Sequence, residues 1–462
     1  MRRVLTGGLM VFALSFVAFE LSINTVWATD HSTSMVQLAY AFWQYHSPAL
    51  GAAGGTPPGS VDDFRLTGQI YSAVAPGASF FALPFMGMAF ALSGGYTAYG
   101  YPMVLSETFV ALTGALAAFL VYKTAALFFR RSTSVFLGLA FALSTNSWPL
   151  ATYFFQSDVS AMFVVLAAYA GVTAGRSATP GRRALACGLA AGAAFTVDYV
   201  DAVIIPILFV YLAASLARSR RPPWAGIGGY LLGASPGVLA IGLYNYSIFG
   251  TPTVFTEQGY LGGSLFGAFS TPVYAGLALD FVSLSRGLFA FAPLLVVGVL
   301  GLFDAFRRGE KRPEMLLLLS MFVGIVVPYS MWYGPTGGLA FGPRFLVAAV
   351  PLLLLPAGVI VDEVKGKKIW LLYAAFAVGA EVNGLAAQAS AIAPPTPFDV
   401  SPFVAYTIPN LAAADFATLW SRVIGDSLPF ALAMVAALGV VAPIVWVELA
   451  RMREAGANAG VS

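Results

Sequence analysis

The chain has 462 residues, of which 59% are hydrophobic and only 10% are charged, and its formal net charge at pH 7 is +3. With a mean hydropathy of +0.81, this composition excludes a soluble globular protein of this size. The single cysteine, Cys187, excludes an internal disulfide and a cysteine-based metal site.

Apolar segments close to the length needed to cross a bilayer recur from end to end. They cover residues 4–27, 103–129, 184–217, 286–306, 314–332, 345–362, 368–388 and 426–449. With shorter candidates included, we predict about 11–13 transmembrane helices. The sequence therefore predicts an all-α, polytopic protein of the cell membrane, with residues 1–462 as one transmembrane domain and the first segment retained as a helix.

Short clusters of basic residues indicate which loops face the cytoplasm. They lie at Arg2-Arg3, Arg130-Arg131, Arg176 to Arg183, Arg218 to Arg221, Arg307 to Arg312, Lys365 to Lys368, and Arg451 to Arg453. This places the longest polar stretches, 28–75, 247–285 and 389–425, on the outer face. Three apolar segments between Arg3 and Arg131 break the alternation, so that either 76–94 does not cross fully or Arg130-Arg131 lies outside.

The first outer loop, residues 28–75, has a pattern of its own. Residues Ser34 to Trp43 are amphipathic, which predicts a helix lying on the membrane surface, and a Gly/Pro-rich turn follows from Gly51 to Gly59. Because the elaborate loops lie on one face, we expect the protein to act there.

Several kinds of catalytic machinery are excluded by missing motifs. The chain has no GxxxxGK[ST] phosphate-binding loop and no HExxH zinc motif, and its two histidines, His31 and His46, both lie in the first outer loop. Nucleic acid is not expected as a partner.

Acidic residues are scarce and gather in the predicted outer loops, at Asp30, Asp62, Asp63, Asp158, Asp198 and Asp201. Carboxylates are also favoured at helix N-termini for structural reasons, because the helix dipole stabilises them. For Asp30 and Asp158 taken together, we favour a catalytic role over this structural explanation.

Arginines on the outer face run against the positive-inside pattern. Arg344 follows Gly342-Pro343, and Arg286 precedes Gly287. A guanidinium exposed by such a turn is suited to bidentate binding of phosphate, which makes a lipid phosphate the natural ligand.

Three glutamates, Glu20, Glu107 and Glu381, lie in or at the edges of apolar segments. Carboxylates at membrane depth often mark ion paths, but near helix ends they equally serve as interhelical hydrogen-bonding groups, which is the interpretation favoured for these three. They carry the alternative reading, a secondary transporter or lipid flippase, whose inverted repeats are not visible in the sequence.

Four stretches resemble the GT-C class of glycosyltransferases, which take sugars from polyprenyl-phosphate carriers outside the cytoplasm. They are Thr29-Asp30 after the first helix, Ile70 to Gly77, Gln156-Ser157-Asp158, and Trp332 to Pro335 with Gly342-Pro343-Arg344. The likeness is to the superfamily of aminoarabinose transferases and protein mannosyltransferases, and it covers most of the chain in order.

The resemblance implies a role for individual residues. Asp30 corresponds best to the general base, with Asp62 and Asp63 as alternatives. Asp158 corresponds to a second acid of the outer loops, and Arg344 to a ligand of the lipid phosphate. The other substrate-binding candidates are Arg286, Tyr71, His31, Tyr333 and Glu257. The implied partners are a polyprenyl-phosphate-linked sugar, a glycan, lipid or protein acceptor, and the bilayer; a divalent metal ion stays open because no clear Asp-x-Asp motif is present.

Overall fold

The computed structural model describes residues 2–24, 29–53, 62–97, 100–177, 179–218, 224–309, 311–390 and 392–424. Its first ten helices are α1 (Arg2–Glu20), α2 (Asp30–Tyr40), α3 (Gly77–Phe81), α4 (Leu83–Ser93), α5 (Tyr101–Ala125), α6 (Arg131–Leu143), α7 (Ser147–Leu150), α8 (Ser157–Gly175), α9 (Pro180–Val197) and α10 (Ile204–Arg218). Between α2 and α3, strands β1 (Asp63–Leu66) and β2 (Gln69–Ser72) form an antiparallel hairpin.

The second half of the chain continues the helical pattern. Its helices are α11 (Trp224–Phe249), α12 (Thr256–Leu261), α13 (Val273–Phe281), α14 (Leu288–Phe291), α15 (Leu294–Arg308), α16 (Arg312–Met331), α17 (Val350–Leu354), α18 (Ala357–Glu363), α19 (Ile369–Ala389), α20 (Ile408–Ala412) and α21 (Leu419–Ile424). The predicted segment 426–449 lies outside the described residues.

Six helical segments in the described part of the chain are long and apolar enough to cross a membrane. They are Tyr101–Ala125, Ser157–Gly175, Tyr199–Arg218, Trp224–Phe249, Arg312–Met331 and Gly366–Ala389, with shorter apolar helices at Gly7–Glu20, Leu83–Ser93 and Arg131–Leu143. The all-α, polytopic membrane class predicted from the sequence is confirmed.

Helices α9 and α11 pack with their backbones almost in contact. A Cβ added at Gly188 would lie 2.1 Å from the carbonyl oxygen of Tyr230, and one added at Gly233 would lie 2.2 Å from that of Leu185. Small residues at such spacing let two membrane helices approach closely. Both helices line the apolar groove described in the next subsection.

Two predicted elements differ from the structure. The apolar segment 345–362 is divided into α17 and α18, because Pro356 between them has no backbone N–H to donate to a continuing helix. The predicted surface helix Ser34 to Trp43 instead begins at Asp30, and nine of the eleven residues of α2 are buried. This helix therefore packs against other parts of the protein along most of its length.

Candidate functional site

A cavity of about 430 Å³ lies where seven parts of the chain meet. Its walls come from the start of α2, Asp62 before β1, the segment after β2, Gln156 before α8, the end of α9, helix α12, and the end of α16 with the loop that follows it. Segments far apart in sequence thus contribute polar side chains to one space, which is the usual arrangement of a ligand site.

Asp30 is the first residue of α2, and its exposed side chain lines this cavity. The helix is capped by Thr29, whose Oγ1 accepts a hydrogen bond of 3.2 Å from the backbone N–H of Ser32. The cap fixes the first turn, and the helix dipole favours a carboxylate there. Asp30 is therefore held at the cavity as an accessible acid.

His31 is buried and links two neighbouring segments. Its Nδ1 lies 3.3 Å from Asp62 Oδ2, and its Nε2 lies 2.5 Å from Gln156 Oε1. Burial raises the pKa of Asp62, but the hydrogen bond with His31 and the charges of His31 and Arg344 outweigh it and leave this pKa below its ordinary value. Asp62 is thus a charged group of the cavity at neutral pH.

Asp198 follows the last residue of α9 and also lines the cavity. The N–H of Val200 donates to its Oδ1 at 3.0 Å, and the hydroxyl of Tyr329 donates to its Oδ2. Burial raises the pKa of Asp198 despite both hydrogen bonds. Its two oxygens are already used by donors of the protein.

Glu257 and Tyr260 reach the cavity from α12. Burial, together with the nearby charge of Asp198, raises the pKa of Glu257 to about 8. Glu257 therefore differs from Asp62 in being mostly protonated at neutral pH.

Aromatic side chains form the rim of the cavity. The rings of Trp332 and Tyr333 lie 5.3 Å apart, and Tyr333 is 44% exposed. Burial and the hydrogen bond with Tyr260 raise the pKa of Tyr333. The rim thus offers aromatic faces beside polar groups.

Arg344 contributes the guanidinium of the cavity. It lies 5.2 Å from the ring centre of Phe155 and 5.0 Å from that of Phe345. Burial lowers its pKa, and the charge of Asp62 partly offsets this. No side chain of the described residues accepts a hydrogen bond from this guanidinium, which lines the cavity.

An apolar groove of about 710 Å³ adjoins the cavity between α3, α9 and α11. Ala75 and Val197 line the cavity, whereas their neighbours Pro76 and Thr196 line the groove. Neighbouring residues of the same two segments therefore line both spaces, of which the first is polar and the second apolar.

The structure brings five of the eight predicted site residues to the cavity: Asp30, His31, Glu257, Tyr333 and Arg344. The other three lie elsewhere. Asp158 is fully buried and accepts a hydrogen bond of 2.5 Å from Ser147 Oγ, Arg286 is buried with its guanidinium on backbone carbonyls, and Tyr71 packs on Phe64 with ring centres 5.8 Å apart.

The glutamates of the transporter alternative do not line the cavity either. Glu107 is 1% exposed and interacts electrostatically with Glu20, whereas Glu381 is partly exposed on α19. They form no shared site in the described part of the chain.

The sequence analysis did not predict that Asp198 and Tyr329 line the cavity and are hydrogen-bonded to each other. The signal for Asp198 was its position at a hairpin tip next to Asp201. Tyr329 lies near the end of an apolar helix, and nothing in the local sequence marks it as a partner of a residue 131 positions away.

The acids of the cavity are not arranged as a metal site. Among the described residues, no group of three or more His, Cys, Asp or Glu side chains could hold a metal ion, whereas a divalent cation takes several oxygen ligands. The described residues therefore supply no cluster of three protein ligands for the divalent ion that the sequence left open.

Residues 86–250, a little over a third of the chain, match the family model described as dolichyl-phosphate-mannose-protein mannosyltransferase. No curated protein sequence matches the chain.

Three solved structures show the same fold at low identity. ArnT from Cupriavidus metallidurans, bound to undecaprenyl phosphate, has a TM-score of 0.54 and 15% identity, covering 95% of this chain and 76% of that one. An oligosaccharyltransferase from Archaeoglobus fulgidus, in complex with Zn and sulfate, has a TM-score of 0.57 and 13% identity, and the match covers 85% of this chain and 54% of that one. AglB from Archaeoglobus fulgidus, in complex with an inhibitory peptide and a dolichol-phosphate, has a TM-score of 0.52 and 12% identity, and the match covers 85% of this chain and 56% of that one.

The chain thus spans about half the length of the archaeal oligosaccharyltransferases. At these identities the structural similarity establishes the fold, which is that of GT-C membrane enzymes. Together with the family match, it confirms the resemblance to the GT-C class of glycosyltransferases that the sequence motifs predicted.

Proposed function

We propose that the protein transfers a sugar from a polyprenyl-phosphate donor to an acceptor on the non-cytoplasmic side of the membrane, with Asp30 as general base. The observation that carries this proposal is that an accessible carboxylate, Asp30, and a guanidinium, Arg344, line one cavity that adjoins an apolar groove.

The donor fits these two spaces by its chemistry. A polyprenyl phosphate has an anionic head and a long apolar tail. Arg344 binds the phosphate, since its guanidinium lines the cavity and suits phosphate oxygens. The groove between α9 and α11 takes the first units of the tail, because its lining is almost entirely apolar.

The chemistry is a single displacement. The Asp30 carboxylate accepts the proton of the acceptor hydroxyl, and the hydroxyl oxygen bonds to the anomeric carbon while the bond from that carbon to the phosphate oxygen breaks. Arg344 stabilises the negative charge left on the lipid phosphate. One displacement inverts the configuration at the anomeric carbon.

The active face follows from the distribution of charge. The arginines at the ends of α8, α10 and α15 belong to the clusters assigned to the cytoplasm. The cavity is built from the loops predicted to lie on the other side, including residues 62–75 and α12. We place the acceptor, whether glycan, lipid or protein, on that side.

The test is transfer from a panel of undecaprenyl-phosphate hexoses and pentoses carrying a radiolabelled sugar, with released undecaprenyl phosphate as the readout. Asp30→Asn should lower the rate by about 10²–10⁴-fold, the usual contribution of a general base. Asp399→Asn, which changes an exposed acid outside the cavity, is the matched control. Full activity of a correctly folded Asp30→Asn protein would refute Asp30 as the base.

A further inference from the structure

Arg286 is a buried arginine whose guanidinium donates hydrogen bonds to backbone carbonyl oxygens. It is 1% exposed. Its Nη1 donates to the carbonyl oxygen of Ala340, and its Nη2 lies 3.0 Å from that of Gly338 and 3.4 Å from that of Ala393. One side chain thus ties together two loops that are more than 50 residues apart in sequence.

No carboxylate of the described residues forms an ion pair with Arg286 within 4.0 Å. Burial lowers the pKa of its guanidinium to about 10, so it is still charged at neutral pH. A buried charge is costly unless hydrogen bonds satisfy it. Here the planar guanidinium of Arg286 donates hydrogen bonds to carbonyl oxygens. The ammonium group of a lysine cannot reproduce this geometry.

The carbonyls that Arg286 binds belong to the loop that carries Arg344. Gly337 and Gly338 have φ values of 70° and 66°, a conformation that side chains other than glycine rarely adopt. A Cβ added at Gly337 would lie 3.0 Å from Cγ of Arg344. The stem of Arg344 therefore rests on the backbone next to the carbonyl that Arg286 holds.

The other end of this loop is also fixed by a buried donor. Asn146 Nδ2 donates to the carbonyl oxygen of Pro343 at 3.0 Å, and the ring of Phe341 packs edge-on against Phe291 with centres 4.9 Å apart. Because both ends are held, Arg344 has a fixed base although no side chain among the described residues accepts a hydrogen bond from its guanidinium.

We propose that Arg286 is a positioning residue for Arg344: it fixes the loop at Gly338 and Ala340 so that the guanidinium of Arg344 meets the donor phosphate already oriented. This inference rests on the proposed function, because it takes Arg344 as the phosphate ligand. Arg286 itself does not touch the substrate.

The experiment measures binding of farnesyl phosphate, and of farnesol as the arm without phosphate, to the purified full chain in nanodiscs. Arg344→Met should weaken farnesyl phosphate binding by about ten- to a hundredfold, as expected for loss of a charge-assisted hydrogen bond. Arg286→Met should weaken it about tenfold, and the double variant should bind about as well as Arg344→Met alone, because coupled residues are not additive.

Arg286→Lys separates position from charge. Lysine keeps the charge but cannot bridge the three carbonyls, so we expect the same loss as for Arg286→Met. Farnesol binding should stay unchanged in every variant. Tyr230→Phe is the control for a lost buried donor, since the Tyr230 hydroxyl donates to the carbonyl of Ile205 away from the cavity; it should leave farnesyl phosphate binding unchanged.

The outcomes distinguish the two proposals. If Arg344→Met binds farnesyl phosphate as wild type does, the phosphate assignment in the proposed function is wrong. If Arg344→Met loses binding but Arg286→Lys does not, or if the losses from the two sites multiply in the double variant, the positioning role is wrong. Should Arg286→Met not fold, Arg286→Lys combined with Arg344→Met completes the same cycle.

Discussion

Acids outnumber cations around the cavity, and local contacts decide which of them are charged. Asp62 has a lowered pKa because of His31 and Arg344, whereas the pKa of Glu257 is raised to about 8. At neutral pH the negative charge near Arg344 is therefore smaller than the number of carboxyl groups suggests. The lower negative charge reduces electrostatic repulsion of the anionic donor that we propose.

The raised pKa of Glu257 predicts a pH dependence of donor binding. Below pH 8 Glu257 is mostly neutral, and above pH 8 it ionises and adds a negative charge to the cavity that we propose binds the donor phosphate. We expect the KM for the donor to rise as pH increases from 7 to 9.5, while Glu257→Gln shows a much smaller rise. KM measured across this range checks the prediction, and an equal rise in both proteins would contradict it.

Individual site residues were predictable from sequence where a loop position alone brings them to the cavity. Asp30 and Arg344 are of this kind, since each follows a helix end or a glycine turn. Asp158 has an equally suggestive position in the sequence. In the structure, however, its carboxylate is buried and accepts a hydrogen bond from Ser147, which lies on a separate short helix. Arg286 was read as a phosphate ligand because the sequence does not show that carbonyls of a distant loop surround it.

At the scale of elements, α9 and α11 pack closely and both contribute residues to the apolar groove. Gly188 and Gly233 each face a backbone carbonyl of the other helix at a distance that excludes any side chain. The sequence shows these glycines but not which helix they face, because two glycine-rich helices have several possible partners. Only the assembled structure identifies the pair.

This packing predicts opposite results for two glycines of α11. Gly233→Ala places a Cβ 2.2 Å from the carbonyl oxygen of Leu185 and should cost about 1–3 kcal/mol of stability through overpacking. Gly228→Ala meets nothing within 4 Å and should be neutral or slightly stabilising, as alanine favours a helix over glycine. Thermal unfolding in the same detergent measures both, and equal melting temperatures would refute the close packing.

At the scale of the whole molecule, polar and apolar functions are divided between two adjoining spaces. The cavity carries Asp30 and Arg344, and the groove carries almost no polar surface. The class of protein and its membrane character follow from composition, but the proximity of these spaces at Ala75-Pro76 and Thr196-Val197 depends on how α3 meets α9. Sequence patterns do not contain that information.

Filling the groove should discriminate between donors by tail length. Ala193→Trp places a large ring in the groove and should lower activity with an undecaprenyl donor about tenfold or more, by displacing apolar contacts of the tail, while a farnesyl donor is less affected. Val210→Trp fills a different apolar groove between α10 and α16 and is the control. Equal loss with both donors in Ala193→Trp would contradict the assignment of the tail to this groove.

The open side of the groove has a consequence for the proposed binding of the donor. Phe80 and Leu189 line the groove and are 58% and 47% exposed. If the groove takes the tail as proposed, we expect the tail to enter sideways from the lipid without passing through water. Encounter is then a two-dimensional search, and the quantity that saturates the enzyme is the mole fraction of donor among the lipids. Diluting vesicles in buffer would leave the rate per enzyme unchanged, whereas diluting the donor with inert phospholipid would lower it.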